Sequence, residues 1–385
     1  MQLLLYVAAG VGVSPWPPEE SAPLRARLQA NKAETLMKVA LLGFPQSGKK
    51  TFFTLLTGRG RGPAGFPALK PGETLEGIAL IHDTRVDALT TIFKPEKTKY
   101  AENLIALCPD MVPGDAKREW LEAARRCDLL CVVVRAFTSA EVYHPSGSVD
   151  PERDRMTLEA ELLLADLELI EKRLERLAKE KRAGLTPQQA QEEQTLIKLK
   201  TTIETEMKWV PLALPPHELD PIRSLNLLIL KPVLWVFNMD EDRLGQAMGH
   251  AGDAVFTASC RIEQEIMDLE PAERDAYLKD LGLTASGLDR LNQAAYDALG
   301  LMSFYTVGKD EVRAWTIRKG STAPTAAGKV HSDIERGFIR VEIIKFDDLV
   351  AAGGEAEAKA RGKVQVKGRD YLIEDGDICH FRFNV

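Results

Sequence analysis

The chain has 385 residues, of which 45% are hydrophobic and 28% charged, with a formal net charge of -7; at roughly 150 residues per domain this is two or three globular domains able to bury a core without staples. The negative balance excludes a protein that coats nucleic acid by bulk attraction, so any RNA contact has to come from a local patch. Its five cysteines, Cys108, Cys127, Cys131, Cys260 and Cys379, contain no CxxC pair, which argues for reduced, buried thiols in a cytosolic protein and against a disulfide framework or zinc site.

No apolar stretch reaches the roughly 18 residues of a membrane span. Residues 1–36 start with an apolar run that lacks a basic leader segment and is broken by Pro15, Pro17 and Pro18. They read as a non-native extension or disordered tail ahead of a natural start at Met37, the alternative being a leader of unusual type. Met37 to Leu42 predicts a buried parallel strand ending at Gly43, and Thr51 to Leu56 has helical apolar spacing. The stretch 58–77 is rich in glycine and proline and reads as a loop, overlapping a strand at Leu75 to Ile81. A helix over Arg85–Phe93 is stopped by Lys94-Pro95. Asn103 to Cys108 predicts a strand, 115–127 a helix, and Asp128 to Arg135 the most clearly buried strand. Two further strands are expected at Lys231–Phe237 and Ala254–Thr257. Strands alternating with helices give an α/β domain on a mostly parallel sheet.

The pattern is interrupted between Arg135 and Lys231. Asp150-Pro151 and Thr186-Pro187 each resemble an N-cap followed by proline at the first helical position. Met156, Ala160, Leu163, Leu167, Ile170, Leu174 and Leu177 form a seam of period about 3.5. Leu196, Leu199, Ile203, Met207 and Val210 offer its partner, with Gly184 in the link. This predicts an antiparallel coiled-coil hairpin, either packing only on itself or serving as a lever or partner-binding arm. Residues 303–385 differ in texture: short strand-like pieces at Val312–Ile317, Gly337–Ile344, Lys363–Val366, Tyr371–Ile373 and Ile378–Phe383, in near charge balance. They read as a separate β-rich domain.

The segment that carries chemistry is Gly43-Phe44-Pro45-Gln46-Ser47-Gly48-Lys49-Lys50-Thr51. It lies between a predicted strand and a predicted helix, the context a phosphate-binding P-loop requires. There, backbone N–H groups wrap the phosphates, Gly48 allows close approach, and Lys49 reaches the β- and γ-phosphates. Lys50 stands where Ser or Thr normally ligates Mg²⁺, and a charged lysine cannot do so. Thr51 is one residue late, about 100° around the helix. Lys50 either points to solvent with the metal lost, or its ammonium takes the metal's place. A chance loop match without nucleotide is the remaining reading.

The run Tyr305 to Pro324 closely resembles the TGS domain of the YchF subfamily of Obg-like P-loop GTPases/ATPases, as do Ala326–Arg340 and the ending Glu374–Val385. Asp87-Ala88-Leu89, Lys94-Pro95-Glu96, Asp166 to Leu177, and Leu225 to Leu228 ahead of Lys231-Pro232 are similar to that subfamily too. The resemblance spans about residues 37–385. It implies a P-loop G domain over 37–140 and 228–302, a helical coiled-coil insertion over 141–227, and a β-grasp-like α+β TGS domain over 303–385. It further implies a cytoplasmic, ribosome- or RNA-associated protein that binds ATP or GTP, with no membrane or DNA partner. The family's NxxE base-recognition motif falls on Asn238-Met239-Asp240-Glu241. The longer Glu241 arm, with Met239 in place of the lysine that covers the base, relaxes the guanine requirement. Ser259 and Cys260 fall where the last nucleotide loop approaches the base.

The chain departs from the family at its DxxG element. Leu107 takes the place of the aspartate and Asp110 that of the glycine. Asp110 as a shifted metal ligand is disfavoured by Pro109 and Pro113, and Thr74 is the one nearby threonine for the first switch. With Lys50 and Leu107 both lacking metal ligands, Mg²⁺ is in doubt and hydrolysis is expected to be very weak or absent. No side chain is assigned a catalytic role. Arg313, Arg318, Lys319, Arg336 and Arg340 are the candidate RNA contacts, or else part of a solvated mixed-charge face. The competing expectations are a working ATPase/GTPase with a rearranged metal site and an adaptor that binds no nucleotide.

Overall fold

A computed structural model of the chain describes residues 37–61, 65–209, 212, 214–244, 248, 254–283 and 285–384. The expected extension over 1–36 and the seam residue Val210 lie outside them. The first sheet is built from β1 (Met37–Gly43), followed by α1 (Lys49–Thr57), β2 (Leu75–Ile81) and α2 (Thr84–Phe93). After a short β3 (Lys97–Lys99) come β4 (Ala101–Leu107), α3 (Leu121–Arg125) and β5 (Leu129–Ala136). All eight residues of β5 are buried, as expected of a central parallel strand covered on both faces. Among the helices that follow, α4 (Pro151–Glu180) and α5 (Pro187–Glu206) form a hairpin, and α6 (Pro216–Ile222) leads back to β6 (Val233–Met239) and β7 (Val255–Ala258). The spatial order is β2-β4-β1-β5-β6-β7, with β2 antiparallel to β4 and every other neighbour parallel.

Side chains alternate across these strands and feed two cores. On one face Leu234 and Val236 of β6 meet Phe52 and Phe53 of α1. On the other, Trp235, Phe237 and Met239 meet Trp120, Leu158 and Leu162. The helix expected over 115–127 shrinks to the five residues of α3. Arg118 has φ 39, and the Asp115 carboxylate accepts from the Lys117 N–H at 3.0 Å, so local turns displace the first helical turns.

The hairpin begins and turns where its caps lie: Asp150 accepts from Arg153 N–H at 3.1 Å, and Thr186 with Gln189 closes a capping box. Its apolar seam holds from Leu163 through Ile170 to Leu177, against Leu196, Leu199 and Ile203. The first two expected seam residues fall outside it. Met156 is 58% exposed and Ala160 is exposed too, because the start of α4 turns Leu158 and Leu162 onto the sheet instead. Met207 is also solvent-facing, at the left-handed residue (φ 50) that ends α5.

Beyond β7 come α7 (Cys260–Asp268), α8 (Pro271–Asp280) and α9 (Gly287–Ala298). A second sheet then forms from β8 (Leu301–Thr306) and β9 (Glu311–Arg318), with α10 (Ala323–Val330) and α11 (Ser332–Arg336) packed on it. It is completed by β10 (Phe338–Lys345), α12 (Phe346–Ala352), α13 (Glu355–Ala360), β11 (Gln365–Lys367) and β12 (Asp377–Phe383). Its order is β11-β10-β12-β8-β9-β3, so β3, contributed from the first half of the chain, extends it. Tyr371–Ile373 is not a strand; only the bridge Thr322↔Leu372 forms there. The two halves are also joined by Asp83, which accepts from the Tyr305 hydroxyl, and by Arg85, which donates to Asp375 at 2.6 Å and stacks on the Tyr305 ring.

Candidate nucleotide-binding site

The loop between β1 and α1 is shaped by backbone that few side chains tolerate. Gln46 (φ 62) and Gly48 (φ 94) are left-handed, and a Cβ on Gly48 would run into the Asn238 amide. Phe44 anchors the loop from below, 5% exposed in the same core as Met111. Pro45 and Gln46 form its outer rim, half-buried and exposed. The Phe52 N–H to Gly48 carbonyl bond (3.0 Å) begins α1, whose first turn carries no acidic residue, so its positive end is uncancelled.

Three polar groups converge on this loop. Ser47 is 1% exposed, and its hydroxyl is buried without a hydrogen-bond partner. Asn238, at the end of β6, donates to the Ser47 carbonyl at 3.1 Å and accepts from the Cys260 N–H at 3.1 Å. It thereby ties the loop to the start of α7, where Ser259 and Cys260 are buried. Lys49 is 3% exposed and donates to Asp110. Burial pushes its ammonium below the ordinary lysine range, and the Asp110 charge works against that push.

The NxxE residues divide by strand alternation. Asn238 faces α1, whereas Met239, one residue on, turns to the opposite face and is 2% exposed in the lower core. Met239 therefore shows little surface on the side of the loop that Asn238 faces. Glu241 lies exposed in the next turn. Asp240 fixes that turn by accepting from the Thr138 N–H and hydroxyl, each at 2.9 Å.

The side chains present do not make a Mg²⁺ site of the usual P-loop kind. Lys50 is exposed, with its ammonium 5.9 Å from the centre of the Phe66 ring rather than in the loop. Thr51 is half-buried on another face of α1, and Leu107 is 1% exposed in the core around α1. Among the described residues, no group of three or more His, Cys, Asp or Glu side chains is placed to hold a metal. The phosphate cradle, by contrast, fits a polyphosphate: a glycine against which nothing larger fits, an orphaned hydroxyl, a buried ammonium and a free helix end.

Asp110 is the member of the site that the sequence reading set aside. Its loop is bound to β1, with Cys108 N–H donating to the Leu41 carbonyl at 3.2 Å and Met111 N–H to the Gly43 carbonyl at 3.0 Å. The signal was its place just after β4, whose neighbour in a parallel sheet is the strand that leads into the P-loop. Of the candidate RNA contacts, Arg318, Lys319, Arg336 and Arg340 are exposed. Lys319 pairs with Asp297 at 3.4 Å, and Arg336 with Asp333. Arg313 is largely covered, its guanidinium 3.8 Å from the Trp315 ring centre. The five do not form one cluster of free cations. No helix among the described residues is long and apolar enough to cross a membrane.

The family YchF-GTPase_C, described as a protein of unknown function, matches residues 301–384. The chain is similar to the ribosome-binding ATPase YchF of Bacillus subtilis, 38% identical over 370 residues, covering 91% of this chain and 100% of the relative. It is similar also to the ribosome-binding ATPase YchF of Haemophilus ducreyi, 36% identical over 365 residues and 90% of this chain, and 99% of that protein. Among solved structures, the YchF GTPase of Schizosaccharomyces pombe superimposes with a TM-score of 0.76 at 32% identity, over 90% of this chain and 97% of the other.

Proposed function

Because the chain belongs to the YchF family, we propose that it is a cytoplasmic, purine-nucleotide-binding protein that acts at the ribosome, with hydrolysis weak or lost. The observation that carries the nucleotide reading is the cradle of Gly48, Ser47 and Lys49, held in place by Asn238. Phosphates would lie on the N–H groups at the start of α1, with Lys49 as their charge partner. Glu241 is free at the surface to meet a base edge, and its reach does not demand guanine. The relatives named as ribosome-binding ATPases support both the nucleotide and the ribosome partner.

Loss of hydrolysis follows from the donor set. Phosphoryl transfer needs a cation against the developing charge, and neither Lys50 nor Leu107 supplies a ligand for one. The domain partition 37–140 with 228–302, 141–227 and 303–385 belongs to the same proposal. So does the assignment of Arg318, Lys319, Arg336 and Arg340 on the TGS domain as the RNA-facing cations.

Calorimetry on the full chain with ATP, GTP and ADP, each with Mg²⁺ and with EDTA, tests the proposal. Binding that persists in EDTA and, for the triphosphates, vanishes in Lys49→Ala is expected. No heat with any nucleotide would leave only an adaptor. Metal-dependent phosphate release abolished by Lys49→Ala would instead establish a working NTPase. Co-sedimentation with ribosomes at two salt concentrations tests the partner: retention that falls steeply with salt is expected, and none at low salt would reject it.

A further inference from the structure

Asp110 puts a carboxylate on the one ammonium that a P-loop reserves for phosphate. Lys49 would otherwise reach the β- and γ-phosphates, yet here it donates to Asp110. The contact is not that of a free surface side chain. Met111 is fully buried, and the N–H groups of Cys108 and Met111 are bonded to β1 and to Gly43, the first residue of the P-loop. Pro109 stiffens the remaining link. The backbone thus delivers the carboxylate to the phosphate side of the loop.

A carboxylate and a terminal phosphate are both oxyanions, and both suit an ammonium. They cannot share it cheaply, because two like charges then stand side by side, and no Mg²⁺ ligand is at hand to bring in a cation between them. A lone buried ammonium is costly, and Asp110 supplies an anion to this lysine, which is only 3% exposed. Asp110 itself keeps 38% of its side chain exposed, so it is not locked in the core.

We propose that Asp110 takes the place of the terminal phosphate on Lys49, so that the site prefers nucleoside diphosphates and admits a triphosphate only by displacing this carboxylate. The inference rests on the nucleotide reading above and adds to it which phosphate state is held. Diphosphates keep their contacts with the loop N–H groups and leave the Lys49–Asp110 pair in place.

The test is calorimetry on the full chain with ADP, GDP, ATP and GTP, in EDTA and in Mg²⁺, for the wild type, Asp110→Asn and Asp110→Ala. Circular dichroism melts check that each variant is folded. The wild type is expected to bind diphosphates at least about tenfold more tightly than triphosphates, the scale of one charge contact. Both variants should gain about tenfold or more for triphosphates while diphosphate affinity moves by less than about threefold. Wild type that binds ATP as tightly as ADP overturns the proposal without any variant. Equal shifts for di- and triphosphates overturn it too, since Asp110 would then be a placeholder for any ligand. A fall in Mg²⁺-ATP affinity would make Asp110 a metal ligand instead. Variants that bind diphosphates when the wild type binds nothing would make it a general block. If neither the wild type nor the variants bind any nucleotide, the nucleotide reading itself falls.

Discussion

Asn238→Ala should loosen the whole site, because this side chain holds the P-loop against the start of α7. Its Nδ2 donates to the Ser47 carbonyl and its Oδ1 accepts from the Cys260 N–H, both at 3.1 Å, with Asn238 only 3% exposed. Alanine would strand one buried carbonyl and one buried N–H. Each stranded group costs about 1–3 kcal/mol, so about 2–6 kcal/mol in total is expected. Urea unfolding read by tryptophan fluorescence suits the measurement, since Trp120 and Trp235 are both fully buried in the same domain. Asn238→Asp sharpens it: the acceptor toward Cys260 survives, but a carboxylate then faces the Ser47 carbonyl. That variant should lose at least as much at neutral pH. A loss below about 1 kcal/mol for alanine, or an aspartate variant as stable as wild type, would refute the bridge as the element that sets the loop.

Two further outcomes follow from buried groups away from the site. Asp166 is fully buried, accepting from Ile229 N–H at 2.8 Å and from Arg125 at 3.1 Å. Burial pushes its carboxyl up to about 6, above the unfolded value, so its contribution to stability is fully present only at acid pH and is lost as pH rises through 6. Wild-type stability minus that of Asp166→Asn should therefore fall by about 2 kcal/mol between roughly pH 4 and pH 7, and a difference that stays flat or rises would contradict this. Leu177→Ala, at a fully buried seam position near the far end of the hairpin, should cost about 2–5 kcal/mol. Hydrogen exchange should show the loss in α4 and α5 while β1 and β5 keep their protection; equal loss everywhere would mean that the hairpin does not open on its own.

Much of the fold was legible because its central strands are covered on both faces and so read as short apolar runs, β5 above all. The hairpin was legible from its caps, Asp150-Pro151 and Thr186-Pro187, which start α4 and α5 where expected. What failed was decided by tertiary contacts. The periodicity that puts Met156 and Ala160 on the seam is blind to the sheet, which claims the opposite stripe of α4 through Leu158 and Leu162. The tripeptide Lys97–Lys99, exposed at both lysines, has no strand pattern of its own; it becomes β3 only because β9 lies beside it. In the site, the loop residues and Asn238 were readable from motif and context. Which way Met239 faces is decided by its strand position, not by its motif position.

The substitutions around the P-loop make better physical sense together than one at a time. An aspartate in place of Leu107 would be a buried carboxylate, and without a divalent cation it would be an uncompensated charge costing several kcal/mol, about the scale of a broken buried ion pair. Leucine removes that cost and adds to the core around α1. The buried Lys49 takes its anion from Asp110, three residues on. Lys50 would add a second positive charge to the same corner, but its stem carries the ammonium out over Phe66. Restoring a single metal ligand should therefore not restore a metal. Leu107→Asp alone should destabilise the protein without creating Mg²⁺ binding, because Lys50 and the Asp110 pairing remain. Only Lys50→Ser with Leu107→Asp and Asp110→Gly should yield Mg²⁺-dependent ATP affinity by calorimetry. Mg²⁺ dependence in the Leu107→Asp single variant would show that the three positions do not act as a set.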